Sequence, residues 1–115
     1  MYVVGLDEVQ KTVPAMEGAK GVHKQVPLSR KDGVPTFSFR VFTIAPGGHT
    51  PFHQHKFEHM NYVINGAGVL IAEDREHALK QGDFALVLAG EKHQYRNSSD
   101  GQDLVIICAV PREYE

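Results

Sequence analysis

Apolar and polar residues alternate along most of this chain with the period of a β-strand, two residues per repeat. Val22 to Leu28 alternates in this way, and the turn Arg30-Lys31-Asp32-Gly33 follows it. Thr36 to Ala45, read as T-F-S-F-R-V-F-T-I-A, is dense in aromatic and β-branched residues, and Pro46-Gly47-Gly48 is expected to end it. Met60 to Ile64 reads as a strand. Asn65-Gly66-Ala67-Gly68 carries the signal of a tight hairpin, so that Val69 to Ala72 pairs back on it. Glu73 to Glu76 makes a polar turn, and short strands are predicted at His77 to Lys80, Phe84 to Leu88 and His93 to Arg96. After the polar loop Asn97 to Gly101, Asp103 to Val110 has the continuous apolar character of a buried strand. Tyr2 to Val4 is a further short strand candidate. No segment holds a helical period over three turns, so the pattern predicts an all-β sandwich or barrel.

Composition narrows the class. A chain of 115 residues fits one domain spanning 1–115, with room for a real core. A formal charge of -2 gives no basic surface for nucleic acid, and no apolar run is long enough for a membrane span. The single cysteine, Cys108, excludes an internal disulfide framework, and the N-terminus lacks the basic and apolar regions of a signal peptide. A cytoplasmic location is the expectation.

The chemistry concentrates between Gly47 and Gly66, where four of the seven histidines lie. Residues two apart on a strand face the same side, so His53 and His55 can converge, and His59 shares their parity after a bend. Three imidazoles on one face make a metal site, with His93 as a fourth candidate.

The spacing around these residues resembles a known pair of motifs. Gly47-x5-His53-x-His55-x3-His59-x6-Gly66 resembles the first signature motif of the cupins, G-x5-H-x-H-x3,4-E-x6-G. Gly82-x5-Leu88-x-Gly90-x2-His93-x3-Asn97 resembles the second, G-x5-P-x-G-x2-H-x3-N. Leu88 stands where proline is usual, and His59 stands where glutamate is usual. The resemblance implies a double-stranded β-helix, the cupin or jelly-roll barrel. It also implies one divalent transition metal held by His53, His55, His59 and His93, as in small four-histidine cupins that use manganese or iron. Imidazole donors leave nickel, copper and zinc open. Four neutral ligands leave the ion its full charge, which favours an anionic or chelating small-molecule substrate. An oxidoreductase of the dioxygenase type is the leading expectation. A redox-neutral isomerase or dehydratase and a non-catalytic ligand-binding module are the alternatives. The resemblance further implies a homodimer, with Tyr2 to Val4 joining the partner's sheet.

Other residues have bland readings beside functional ones. His23 and His77 read as surface residues. His49 reads as a turn residue, with a place at the rim of the site as the alternative. Glu58 is the nearest carboxylate, but parity turns it away from His53 and His55. Phe57 and Asn61 share parity with His59, and Tyr95 and Asn97 share it with His93, so these four are cavity candidates or packing. Arg40 is expected outward and solvated, although an inward Arg40 would select carboxylates. Cys108 is expected as a core residue, with a place beside the metal as the alternative.

Overall fold

The computed structural model describes residues 1–115 and is built from eight strands. They are β1 (Lys20–Leu28), β2 (Phe37–His49), β3 (His59–Asn65), β4 (Ala67–Ala72), β5 (Glu76–Lys80), β6 (Phe84–Val87), β7 (His93–Arg96) and β8 (Leu104–Pro111). All pairings are antiparallel, in the order β5-β4-β7-β2-β8-β3-β6, with β1 added to β2. The sheet curls on itself as the jelly-roll expectation requires. No helix is long and apolar enough to cross a membrane.

Inward residues stand in rows across neighbouring strands. Phe42, Ile106 and Val63 pair across β2, β8 and β3, and Ile44 pairs with Leu104 beside them. Ile44, Val63, Leu104 and Ile106 are at most 1% exposed and form the apolar core with Leu70, Leu79, Val87 and Tyr95. Burying each such aliphatic side chain contributes about 1.5–3 kcal/mol. One row nearer the site, Arg40, Cys108 and Asn61 are paired in register.

The structure departs from the sequence pattern in four places. Tyr2 to Val4 form no strand; the segment is irregular up to a single 3-10 turn at Leu6–Glu8. It is held by the Gln25 side chain, whose Nε2 donates to the carbonyls of Leu6 and Val9 at 2.8 and 2.9 Å. Pro46-Gly47-Gly48 does not end β2, which continues to His49. Gly47, at φ +76°, bends the strand there, and a Cβ on Gly48 would lie 2.6 Å from the Lys20 carbonyl oxygen. The bend carries β2 from β8 to a second partner, β7, through His49 and Arg96.

The third departure is at Gly66. β3 and β4 do not form a hairpin; β3 pairs with β6 and β8, whereas β4 pairs with β5 and β7. Gly66, at φ +82°, turns the chain between the two halves of the barrel, and a side chain there would collide with the Asp103 carbonyl. Lastly, His53 and His55 lie on an irregular connection rather than a strand, with His53 making one isolated bridge to His93.

Candidate metal centre

The connection from β2 to β3 is pinned by its neighbours along its length. Thr50 N–H donates to the Tyr95 carbonyl at 2.9 Å, His53 and His93 exchange both backbone hydrogen bonds, and Gly90 N–H donates to the His55 carbonyl at 2.8 Å. His59 opens β3 and His93 opens β7, both facing inward and buried. The ligand atoms of His53, His55 and His93 lie within 4.8 Å of one another. His59 lies beside this group of three, with Nε2 3.2 Å from His93 Nε2 and its ring centroid 4.8 Å from that of His55.

Hydrogen bonds on the outer sides of the rings decide which nitrogens face in with free lone pairs. His55 Nδ1 is 2.9 Å from the Phe57 carbonyl and His93 Nδ1 is 2.8 Å from the Glu91 carbonyl. A carbonyl only accepts, so Nδ1 carries the proton in both rings and Nε2 points inward as an acceptor. His59 Nδ1 lies 3.1 Å from Cys108 Sγ, which can accept in the same way. His59 Nε2 then faces His93 Nε2 lone pair to lone pair, a contact that a cation relieves. Their separation suits adjacent ligands on an ion with metal–nitrogen bonds near 2.1 Å, which lie about 3 Å apart. Burial holds the pKa of all four rings below the usual histidine range; the neighbouring His93 and His55 reinforce it at His59, which falls to about 3. Neutral rings are the form a metal requires, and the donor set fits a divalent transition ion.

The four histidines line a cavity of about 130 Å³. Phe57 lines it and stacks on His55, with ring centroids 4.0 Å apart and planes 6° from parallel, while Tyr114 stacks on the other side of Phe57 at 4.3 Å. Asn61 and Tyr95 line it too, and burial pushes the Tyr95 phenol well above its ordinary range.

Arg40 overturns its expectation. It points inward, its Nη2 donating to Cys108 Sγ at 3.0 Å. Cys108 is fully buried, but it bridges Arg40 and His59 rather than filling the core alone.

Other candidates lie elsewhere. Asn97 is a structural corner, with Nδ2 donating to the carbonyls of Ile44 and Gln102, both at 2.8 Å, and Oδ1 accepting from Ser99 N–H. His49 sits outside the cavity beside Thr50 and Gln94. Glu58 is exposed on the outer surface near Lys56 and Leu88, as parity requires. His23 and His77 are exposed.

Five lining residues went unread: Met16, Phe42, Ile44, Thr50 and Ile106. Phe42 and Ile44 share parity with Arg40, which was the available signal. Met16 carries none, because it reaches the cavity from an irregular segment.

A family model for the cupin domain matches residues 40–110, more than half of the chain. No curated protein matches it significantly. Among solved structures, the polyketide cyclase RemF from Streptomyces resistomycificus is 27% identical, with a TM-score of 0.91 over 97% of this chain and 80% of that one. A predicted oxalate decarboxylase from Thermotoga maritima is 24% identical, with a TM-score of 0.83 over 96% and 98%. A cupin-2 domain from Rhodospirillum rubrum is 23% identical, with a TM-score of 0.82 over 96% and 74%. The last two share the fold with this chain. Both signature spacings fall largely inside the matched region, on a barrel of the expected kind, and the chain belongs to the cupin domain family.

Proposed function

We propose that this chain is a metal-dependent enzyme in which His53, His55, His59 and His93 hold one divalent ion, manganese or iron, and that it oxidises a small anionic or chelating organic substrate with dioxygen. The observation carrying this reading is a set of four converging imidazoles in a cavity whose lining contains no Asp, Glu or Lys. The ion, when bound, supplies Lewis acidity and a redox couple for dioxygen. The chain supplies the rest. Four neutral ligands leave the ion's charge uncancelled, Phe42 and Phe57 exclude water, and Cys108 fixes the ring of His59. No lining side chain is a ready general base, since the Tyr95 phenol is pushed up by burial and the imidazoles are committed as ligands. That favours oxidation over isomerisation by side-chain proton transfer.

A second reading has its own support. The similarity to a polyketide cyclase, at 27% identity over nearly the whole chain, favours a redox-neutral, metal-assisted ring closure.

Oxygen uptake separates the two. Manganese- and iron-loaded protein is expected to consume oxygen with a member of a diketone, catechol and hydroxy-acid panel. His53→Ala and His93→Ala are expected to lose bound metal by about 100-fold or more in affinity, beyond the loss typical of an outer-shell change. Substrate conversion without oxygen uptake would select the second reading, and metal content unchanged in both variants would end both.

A homodimer belongs to the same proposal. Phe39, Ala109, Met60 and Leu86 form a row across the outer faces of β2, β8, β3 and β6, with Phe39, Met60 and Leu86 exposed by 43–57%. An exposed apolar strip of this kind supports a contact between two copies of the chain. Light scattering at twice the chain's 12.8 kDa would support it.

A further inference from the structure

Three polar atoms around this one cavity are buried without a partner in the chain: Arg40 Nε, Asn61 Oδ1 and Tyr95 Oη. Asn61 and Tyr95 are only 5% and 4% exposed. A buried polar group left unpaired costs about 1–3 kcal/mol, so three of them on residues that line one cavity call for a common explanation. They also differ in kind. Arg40 offers a donor and a positive charge, Asn61 an acceptor, and Tyr95 a hydroxyl that does either.

The charge is the most telling. None of the chain's ion pairs involves Arg40. Its one side-chain partner is Cys108 Sγ, 3.0 Å from Nη2, and no carboxylate answers the guanidinium. Phe42 and Phe57 lie near the guanidinium, with ring centroids 5.1 and 5.9 Å from Cζ. Both rings lie within cation–π range; Nη2 is taken by Cys108, and Nε–H is left without an acceptor in the chain. The cavity, about 130 Å³, is close to the roughly 150 Å³ that accommodates benzene in an apolar protein interior.

We propose that Arg40 is the anion receptor of this pocket, and that the ligand is a carboxylate on a single ring or an equally short chain, whose polar substituents bond Asn61 and Tyr95. The register makes this a built arrangement, since Arg40, Cys108 and Asn61 are paired across β2, β8 and β3. The inference rests on the reading of the cavity as a substrate site, but not on the metal.

The test uses benzoate and its uncharged counterpart benzamide, titrated by calorimetry into wild-type and Arg40→Gln protein, as purified and after chelation. Wild-type protein is expected to prefer benzoate by about 10- to 100-fold, the range of a charge-assisted hydrogen bond. Chelation should leave that preference in place, and Arg40→Gln should abolish it. A preference that vanishes on chelation but survives Arg40→Gln would assign the carboxylate to the metal and overturn the proposal. So would equal binding of the two compounds by wild-type protein. The chelated arm decides for Arg40 even if the metal-dependent activity fails. Should Arg40→Gln not fold, the Arg40 Nε–H resonance of wild-type protein decides. Benzoate must move it and benzamide must not; the reverse or no movement sinks the idea.

Discussion

Strand β3 passes through both ends of the barrel interior, and its inward residues change character on the way. His59 and Asn61 face the site, and Val63, two residues further, faces the core. At the core end, the buried polar groups are answered. Asn97 donates to two carbonyls and accepts from Ser99 N–H. At the site end, Arg40 Nε, Asn61 Oδ1 and Tyr95 Oη are buried and unanswered. The same strands thus build a region whose buried polar groups are paired and a region in which three are not. The difference teaches where stability has been given up, because unpaired groups destabilise the state that buries them.

Substitutions can break this contrast, and the largest effect belongs to the core. Leu104→Ala is expected to cost about 2–5 kcal/mol in urea unfolding, since Leu104 is fully buried beside Ile44. A loss below about 1 kcal/mol would mean that the core end is no better packed than the site.

The next effect comes from pH. In the metal-free protein, His59 has a pKa of about 3, against an ordinary value of 6.5. Between those values the unfolded chain binds a proton that the folded chain refuses, so stability falls as pH drops through the window and is flat above it. Lowering pH from 7.5 to 4.5 should cost about 2–3 kcal/mol through His59 alone. A His59→Asn variant should lose that part of the slope, and an unchanged slope would place the sensitivity elsewhere.

The smallest effect has the opposite sign. Tyr95→Phe removes an unpaired buried hydroxyl and should leave stability unchanged or raise it by up to about 1 kcal/mol. A loss above 1 kcal/mol in thermal unfolding would show that the hydroxyl serves the fold, and the contrast between the two ends would blur.

Much of this arrangement was legible in the residues. Strand pattern and turn chemistry located most of the strands, and the spacing of His53, His55, His59 and His93 pointed to one centre. Local signals misled where the answer depended on distant partners. Asn65-Gly66 has the chemistry of a hairpin, but β3 finds β6 and β8 because the barrel needs its strands in separate halves. Pro46-Gly47-Gly48 has the chemistry of a stop, but β7 supplies the partner that keeps β2 extended past it. Arg40 was hidden by its own strand. Phe37, Phe39 and Val41 make the other face of β2 look like the core side, yet Phe37 and Phe39 are 58% and 43% exposed. An apolar outer face inverts the usual inference from alternation.

Strand β2 has a consequence for timing. It carries Arg40, Phe42 and Ile44 and is hydrogen-bonded to β1 along one edge and to β8 and then β7 along the other. A strand paired on both edges opens only with its neighbours, so its amides should be among the slowest to exchange with solvent. This wall of the cavity therefore does not breathe by itself. Faster motion beside the cavity is left to side chains such as Phe57, which lines it, and Tyr114, stacked on Phe57, whose rearrangements run from picoseconds to microseconds rather than at the pace of a closing domain. In the role proposed for Arg40, such a wall would discriminate by how long a ligand stays, not by whether a lid admits it.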